Sequence, residues 1–157
     1  MNAWWWPYAV AGLIALVVEL LGGWLTELGP WYENLRKPRW QPPGWLFGPA
    51  WTLLFIMIAI SAGLAWIESP SAARPALLVL FGINAVLNIA WSGLFFRARR
   101  PDLAFVEVVV FWMSILALIL AIWPHSQTAA LLLLPYLAWV SFAGLLNWTV
   151  ARLNGYL

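Results

Sequence analysis

The chain has 157 residues, of which 64% are hydrophobic and 9% are charged, and its formal net charge is +2. So few polar side chains cannot coat a soluble domain of this length, and the composition therefore predicts that lipid is its solvent. The absence of Cys excludes disulfides, thiol catalysis and thiolate metal sites, and eight Lys and Arg are too few to predict nucleic-acid binding.

Five apolar segments follow one another along the chain. Each supplies roughly 20 residues, which at ~1.5 Å per residue is enough to cross a hydrocarbon layer of ~30 Å. The segments lack period-two alternation, so helices are predicted rather than barrel strands. The sequence predicts an all-α fold, a single domain over residues 1–157 with transmembrane helices at 5–26, 45–67, 75–96, 103–123 and 128–151.

Three of the four connections between these segments are short, so the last four spans are predicted to be antiparallel neighbours in one bundle. Only the first connection, residues 27–44, is long. From Trp31 to Trp51 the chain contains four Trp, four Pro and three cations. Such a loop would expose large aromatic surfaces to water unless it folded back onto the protein. We therefore interpret it as a lid over a pocket.

The cations predict how the helices are oriented in the membrane. Five spans place seven of the eight cations on one side, and only Arg74 lies on the other. The positive-inside rule then predicts an N-terminus outside and a C-terminus in the cytoplasm. The seven are Arg36, Lys37, Arg39, Arg97, Arg99, Arg100 and Arg152.

Four motifs at matching spacing cover essentially the whole chain. They are WYENLRKPRWQPPGW, then PAWTLLF, then the pattern of Asn88, Trp91, Phe95 and Phe96, and finally PYLAWVSFAGLLNW. Together they resemble the translocator protein family, also called tryptophan-rich sensory proteins. The resemblance implies a homodimeric five-helix membrane protein whose pocket near the first loop binds porphyrins, sterols and benzodiazepine-type ligands. The short chain suits a bacterial cell membrane.

The resemblance also implies which residues contact the ligand. These are Tyr32, Pro42, Trp51, Phe55, Asn88, Trp91, Trp139, Ala143 and Leu146. Helical spacing alone puts Trp51 with Phe55, and Trp139 with Ala143, on single faces. A planar tetrapyrrole needs indole faces for stacking, donors for its edge and nearby Arg or Lys for its carboxylates. Aromatics at this spacing also pack between helices, which is the alternative interpretation.

Several residues in the spans have two interpretations. Leu146 to Arg152 resembles a sterol-recognition motif, except that Trp148 replaces its central Tyr, and an interfacial Trp with a snorkelling Arg152 explains the same residues. Asn88 either bonds another helix or contacts the ligand. The acid Glu19 marks proton linkage, tuning of the ligand or an intersubunit hydrogen bond, or else it is a protonated carboxyl bonded within the bundle.

Two further residues carry structural expectations. Glu107 is expected to reach the membrane interface or to pair with the basic turn at Arg99 and Arg100. Pro135 is expected to kink the fifth span and to free a carbonyl for a partner on a neighbouring helix.

The predicted function is that of a receptor or sensor for porphyrins, with no required cofactor and no metal. Lone His125 has no clustered acid beside it, which argues against hydrolytic or metal chemistry. Two alternatives stay open. One is light-dependent porphyrin breakdown with Trp51 and Trp139 as electron-transfer residues, and the other is facilitated transport of a tetrapyrrole or sterol.

Overall fold

Five long apolar helices cross the height of the protein, and the computed structural model describes them within residues 4–157. Residues 1–3 of the predicted domain lie outside the described range. All secondary structure in the described range is helical, which confirms the predicted all-α class. The elements are α1 (Trp6–Leu25), α2 (Pro30–Asn34), a 3₁₀ turn (Gly44–Leu46), α3 (Phe47–Glu68), α4 (Arg74–Ser92), a π-helical segment (Gly93–Arg97), α5 (Pro101–Ile122), α6 (Gln127–Leu132) and α7 (Leu134–Leu153).

The ends of the five spans lie within two residues of the predicted ends. Each span is long and apolar enough to cross a membrane, so the protein is an integral membrane protein with five transmembrane helices. Proline marks several of the helix starts, as at Pro75 in α4 and Pro101 in α5. Its fixed φ suits the first turn, where its missing N–H leaves no helical hydrogen bond unmade.

The fifth span, Gln127–Leu153, is interrupted at Leu133, two residues before Pro135. α6 ends at Leu132 and α7 begins at Leu134, with Pro135 in its first turn. The backbone N–H of Leu133 bonds the carbonyl of Ala130, which tightens the turn and releases the carbonyl of Ala129. Ser61 of α3 donates its hydroxyl to that carbonyl at 2.7 Å. Pro135 itself frees the carbonyl of Leu131, four residues earlier, so the expected partner for that carbonyl stays a prediction.

A buried polar network joins α4, α5 and α7. Tyr136 donates its hydroxyl to Oδ1 of Asn84 at 3.0 Å and accepts Nδ2 of Asn88 at 3.1 Å. Asn84 also donates to the Ser114 hydroxyl at 2.8 Å. Polar groups inside a membrane bundle are costly when unpaired, and these are paired with each other. The network links three helices, and Asn84 has a structural role in it.

The helices α1 and α3 approach each other closely at Gly63. The ring of Tyr8 covers this glycine, and a Cβ added there would lie only 2.3 Å from Cδ1 of Tyr8. Glycine is therefore required for this contact. The contact holds α1 against α3.

The first loop, the end of α4 and the C-terminus meet at one end of the bundle. Arg36 bonds Asn154, and Arg97 of the π-helical segment pairs with Glu27 of the loop. The predicted group of seven cations belongs to this end. Arg74 lies at the other end, where its Nε donates to the carbonyl of Trp66.

Candidate ligand cavity beneath the first loop

A cavity of about 450 Å³ lies between α1, α3, α4 and α7, directly beneath the first loop. Eight of the nine residues assigned to the ligand from the sequence line it together. These are Tyr32, Trp51, Phe55, Asn88, Trp91, Trp139, Ala143 and Leu146. Pro42 does not line the cavity; it lies in the loop between Gln41 and Gly44, which do.

Indole rings form two walls of the cavity. Trp51 meets Trp139 edge-on, with ring centroids 6.4 Å apart and planes at 86°. On the other side, Trp91 stacks on Phe95 at 5.6 Å. Edge-on and stacked contacts stabilise aromatic clusters beyond their buried area. The aromatic residues therefore both pack the helices and present flat faces to the cavity, so the two interpretations of the sequence are compatible.

The π-helical segment brings a further aromatic pair into the wall. Gly93–Arg97 has the wider turn of a π-helix, and Phe95 and Phe96 of this segment line the cavity. Such bulges are rare and are frequent at functional sites. Sequence reasoning named both phenylalanines as part of a pattern but had no signal for the π-helical turn that positions them.

Asn147 orients one of the cavity's tryptophans, and sequence reasoning missed it. Its Oδ1 accepts the indole N–H of Trp91 at 3.1 Å, and its Nδ2 donates to the carbonyl of Pro101 at 2.8 Å. Asn147 is buried and also lines the cavity. A lone Asn within a membrane span was the available signal, since polar side chains there need partners. Asn88 bonds Tyr136 of α7, as one interpretation expected, and it also lines the cavity, so its contact with a ligand stays a prediction.

The first loop is held in place by its own cation and by the C-terminus. Lys37 donates its Nζ to the carbonyls of Tyr32, Glu33 and Leu35 and lies 4.4 Å from the centroid of the Tyr32 ring. These bonds satisfy carbonyls at the end of α2, as basic residues commonly do. The loop is therefore an ordered cover over the cavity.

Asn154 is the main link between the loop and the end of α7. Its Oδ1 accepts the backbone N–H of Arg36 at 2.8 Å, and its Nδ2 donates to the carbonyl of Arg36 at 2.9 Å. Trp31 adds a bond from its indole N–H to the hydroxyl of Tyr156 at 3.2 Å. We call Asn154 and Tyr156, with their loop partners, the latch.

The charge of the cavity differs from the expectation that Arg or Lys would supply it. Among its described lining residues there is no Lys, Arg or His, and the one acid is Glu19. Thr52 of α3 donates its hydroxyl to Oε1 of Glu19, so the carboxyl is bonded within the bundle. Loops place their cations at the membrane surface, where water solvates them, whereas the cavity lies deeper among the helices.

The residues of the sterol-like motif are separated in space. Leu146 lines the cavity, but Trp148 and Arg152 lie on the exposed face of α7, where the Arg152 guanidinium is 5.0 Å from the ring centroid. This is the cation–π pair expected of an interfacial Trp and a snorkelling Arg.

Glu107 does not reach the basic turn, so that prediction was wrong. Arg100 instead forms a bidentate pair with Asp102, which is only two residues away and half-buried at the start of α5. Both carboxyl oxygens of Glu107 are enclosed by protein and have no hydrogen-bond partner among the described residues. The indole N–H of Trp139 is enclosed in the same way.

A second, smaller cavity of about 230 Å³ adjoins the first between α1, α3 and α4. Val18, Phe55 and Asn88 line both cavities and so form the wall between them. Within residues 4–157, no three His, Cys, Asp or Glu side chains gather in a way that could hold a metal ion.

Comparison with known proteins gives a consistent result. Residues 10–153 match the TspO/MBR family. The chain is 42% identical over 147 residues to the tryptophan-rich protein TspO of Chlorobaculum tepidum, covering 90% of this chain and 91% of that protein. It is 38% identical over 148 residues to the TspO protein of Archaeoglobus fulgidus, covering 92% and 95%. It is also 38% identical over 146 residues to the translocator protein of Sus scrofa, covering 88% and 86%. These matches, together with the five transmembrane helices, show that the chain belongs to the TspO/MBR family of membrane proteins.

Proposed function

We propose that this protein is a membrane receptor that binds a porphyrin such as protoporphyrin in the cavity beneath its first loop. The observation that carries the proposal is the cavity itself, where three indoles from three helices surround a space of about 450 Å³. Cavities of roughly 300–1,000 Å³ with apolar walls and a few polar groups are typical of small-molecule sites. One relative is named translocator protein, which is compatible with a protein that binds a cargo.

A porphyrin has a flat apolar face and a carboxylate edge, and the site offers different surroundings for each. Trp51 and Trp91 supply flat faces inside the cavity. Lys37 lies over the ring of Tyr32, which lines the cavity, and since its Nζ donates to three loop carbonyls it offers a ligand its positive charge rather than a free donor. The carboxylate edge is therefore proposed to lie at the mouth beside Lys37, because a charge is solvated better there than among the helices.

The test is a protoporphyrin titration in detergent, followed by intrinsic Trp fluorescence with inner-filter correction. Trp51→Phe and Trp139→Phe remove indoles from the cavity wall. Trp123→Phe is the matched control, since Trp123 is exposed at the far end of α5. Saturable quenching with affinity lowered in the two cavity variants, and not in the control, is expected. Non-saturable quenching that is the same in every protein would reject the porphyrin site.

Light-dependent breakdown of the bound porphyrin is a second candidate function. Trp51 lies 6.4 Å from Trp139 and 6.3 Å from Tyr136, measured between ring centroids. An indole in this cluster is positioned to give one electron to a photo-excited macrocycle. Dioxygen is the oxidant that then consumes the macrocycle. Trp51→Phe should then slow loss of the pigment in light more than it weakens binding in the dark. Equal pigment loss in wild type and variant would exclude the role.

Transport is the third candidate, and it differs from sensing in a measurable way. A carrier of tetrapyrroles or sterols gives counterflow of ligand in liposomes, whereas a receptor gives saturable binding without flux. The cavity lies under a loop latched at one end of the bundle, which is the arrangement of a binding site with a cover. We therefore propose binding first.

The proposed setting is a bacterial cell membrane, with the first loop and the C-terminus in the cytoplasm. Seven of the eight cations belong to that end, and cytoplasmic ends of membrane proteins are enriched in Lys and Arg. The proposed assembly is a homodimer. Cysteine accessibility of single substitutions in the loop and the α3–α4 turn would test the orientation, since opposite labelling is expected from the two sides.

A further inference from the structure

Glu19 introduces an acid into a cavity that otherwise has no charged side chain. It lies on α1, six residues before the helix ends, and faces the same cavity as the tryptophans. An acid in a membrane span is costly, because lipid cannot solvate it. A side chain of this kind that faces a cavity has the position of a binding group.

The carboxyl of Glu19 accepts one recorded hydrogen bond and can accept more. Thr52 donates its hydroxyl to Oε1, and the two oxygens of a carboxylate together accept about four hydrogen bonds. Oε2 has no partner among the described residues and is not one of the enclosed polar atoms. Both Glu19 and Thr52 line the cavity, so the carboxyl borders the space that a ligand would fill.

Among the described residues of the wall, Glu19 supplies the one charged acceptor, and the other polar side chains are uncharged. Asn147 is engaged through both ends of its amide by Trp91 and Pro101. Asn88 donates its Nδ2 to Tyr136, which leaves its Oδ1 as an uncharged acceptor. The wall between α1 and α3 is thus the acceptor side of the cavity, and the loop with Lys37 is its cationic side.

We propose that Glu19, positioned by Thr52, selects ligands by charge. It accepts a hydrogen bond from an ammonium, amidinium or N–H group on the ligand edge that faces α1 and α3, and it excludes a carboxylate from that edge. This inference rests on the proposed ligand cavity and adds the polarity of its occupant. For a porphyrin, it fixes the orientation, with the carboxylate edge directed away from Glu19 and towards Lys37.

The experiment uses three probes with one macrocycle and different charge. They are protoporphyrin, its neutral dimethyl ester and a diamide that ends in two primary amines. Each is titrated against wild type, Glu19→Gln and the control Glu68→Gln, which changes an exposed acid at the far end of α3. Glutamine keeps the size of the side chain and its hydrogen bond to Thr52 but removes the charge.

Glu19→Gln is expected to lower the affinity for the amine probe by roughly 10-fold or more, since hydrogen bonds to charged groups are stronger than those between neutral groups. The same substitution should raise the affinity for the diacid and leave the affinity for the diester within about twofold of wild type. Thr52→Val should reduce the preference for the amine probe, and Thr52→Ser should restore it. Unchanged ratios among the three affinities in Glu19→Gln would overturn the inference while leaving the porphyrin site intact.

Failure of every porphyrin to bind wild type would instead reject the proposed porphyrin function. The charge selection is then decided with naphthylmethylamine and naphthoate, which differ in charge and need no macrocycle. Preference for the amine that is lost in Glu19→Gln supports the inference, and equal binding of the two probes overturns it.

Discussion

The latch between the first loop and the C-terminus is expected to control how fast a ligand leaves the cavity. Asn154→Ala removes the two hydrogen bonds to the backbone of Arg36, at 2.8 and 2.9 Å. Each such bond contributes about 0.5–1.5 kcal/mol, and these are exposed, so their loss weakens the closed loop by roughly 1–2 kcal/mol. That free energy corresponds to a factor of about 5–30. Ligand release should accelerate by this factor if the loop must open first.

Stopped-flow release measures this directly. Protein loaded with protoporphyrin is mixed with excess serum albumin as a scavenger, and the recovery of Trp fluorescence gives the off-rate. Asn154→Asp keeps the acceptor for the N–H of Arg36 and loses the donor, so an intermediate rate is expected. Thr149→Val is the matched control, because that exposed hydroxyl bonds only the carbonyl of Leu145 in its own helix. Equal off-rates in all four proteins would refute the reasoning that the latched loop limits release.

Two further predictions concern stability. Gly63→Ala should lower stability by about 1–3 kcal/mol, because its Cβ would meet the ring of Tyr8 at 2.3 Å. Gly12 has open space around it, so the control Gly12→Ala should leave the melting temperature in detergent unchanged or higher. Equal melting temperatures for Gly63→Ala and Gly12→Ala would contradict the close contact between Tyr8 and Gly63. Tyr136→Phe removes the hydroxyl shared by two asparagine amides of α4 and should cost about 1–3 kcal/mol. An unchanged melting temperature would show that the buried network is not needed.

The five spans were predictable because lipid imposes a length and a composition on every helix that crosses it. The residues that line the cavity were identified by resemblance, and helical spacing placed pairs such as Trp51 and Phe55 on one face. Pro135 correctly indicated an irregularity in the fifth span. It did not indicate that the helix would be interrupted at Leu133. The carbonyl of Ala129 that is released there accepts a hydrogen bond from Ser61, which lies on another helix.

The remaining features depend on which side chains meet across helices. The pairing of Glu107 with the basic turn was mispredicted because a nearer acid, Asp102, pairs with Arg100. The absence of cations from the described cavity wall reflects how deep the cavity lies relative to the loops, which a sequence does not state. The contact of Tyr8 with Gly63 joins residues 55 positions apart and has no local signal.

Filling the cavity is the most direct test of the central claim that it holds the ligand. Ala143 is a small, buried residue of the wall, and Ala143→Phe places a ring inside the space. Val106→Phe makes a comparable change on an exposed face of α5, outside the cavity wall, and serves as the control. An equilibrium titration with protoporphyrin, on variants that elute as folded protein in detergent, should show saturable binding to wild type and Val106→Phe and its loss in Ala143→Phe. Equal affinity in all three proteins would contradict the claim.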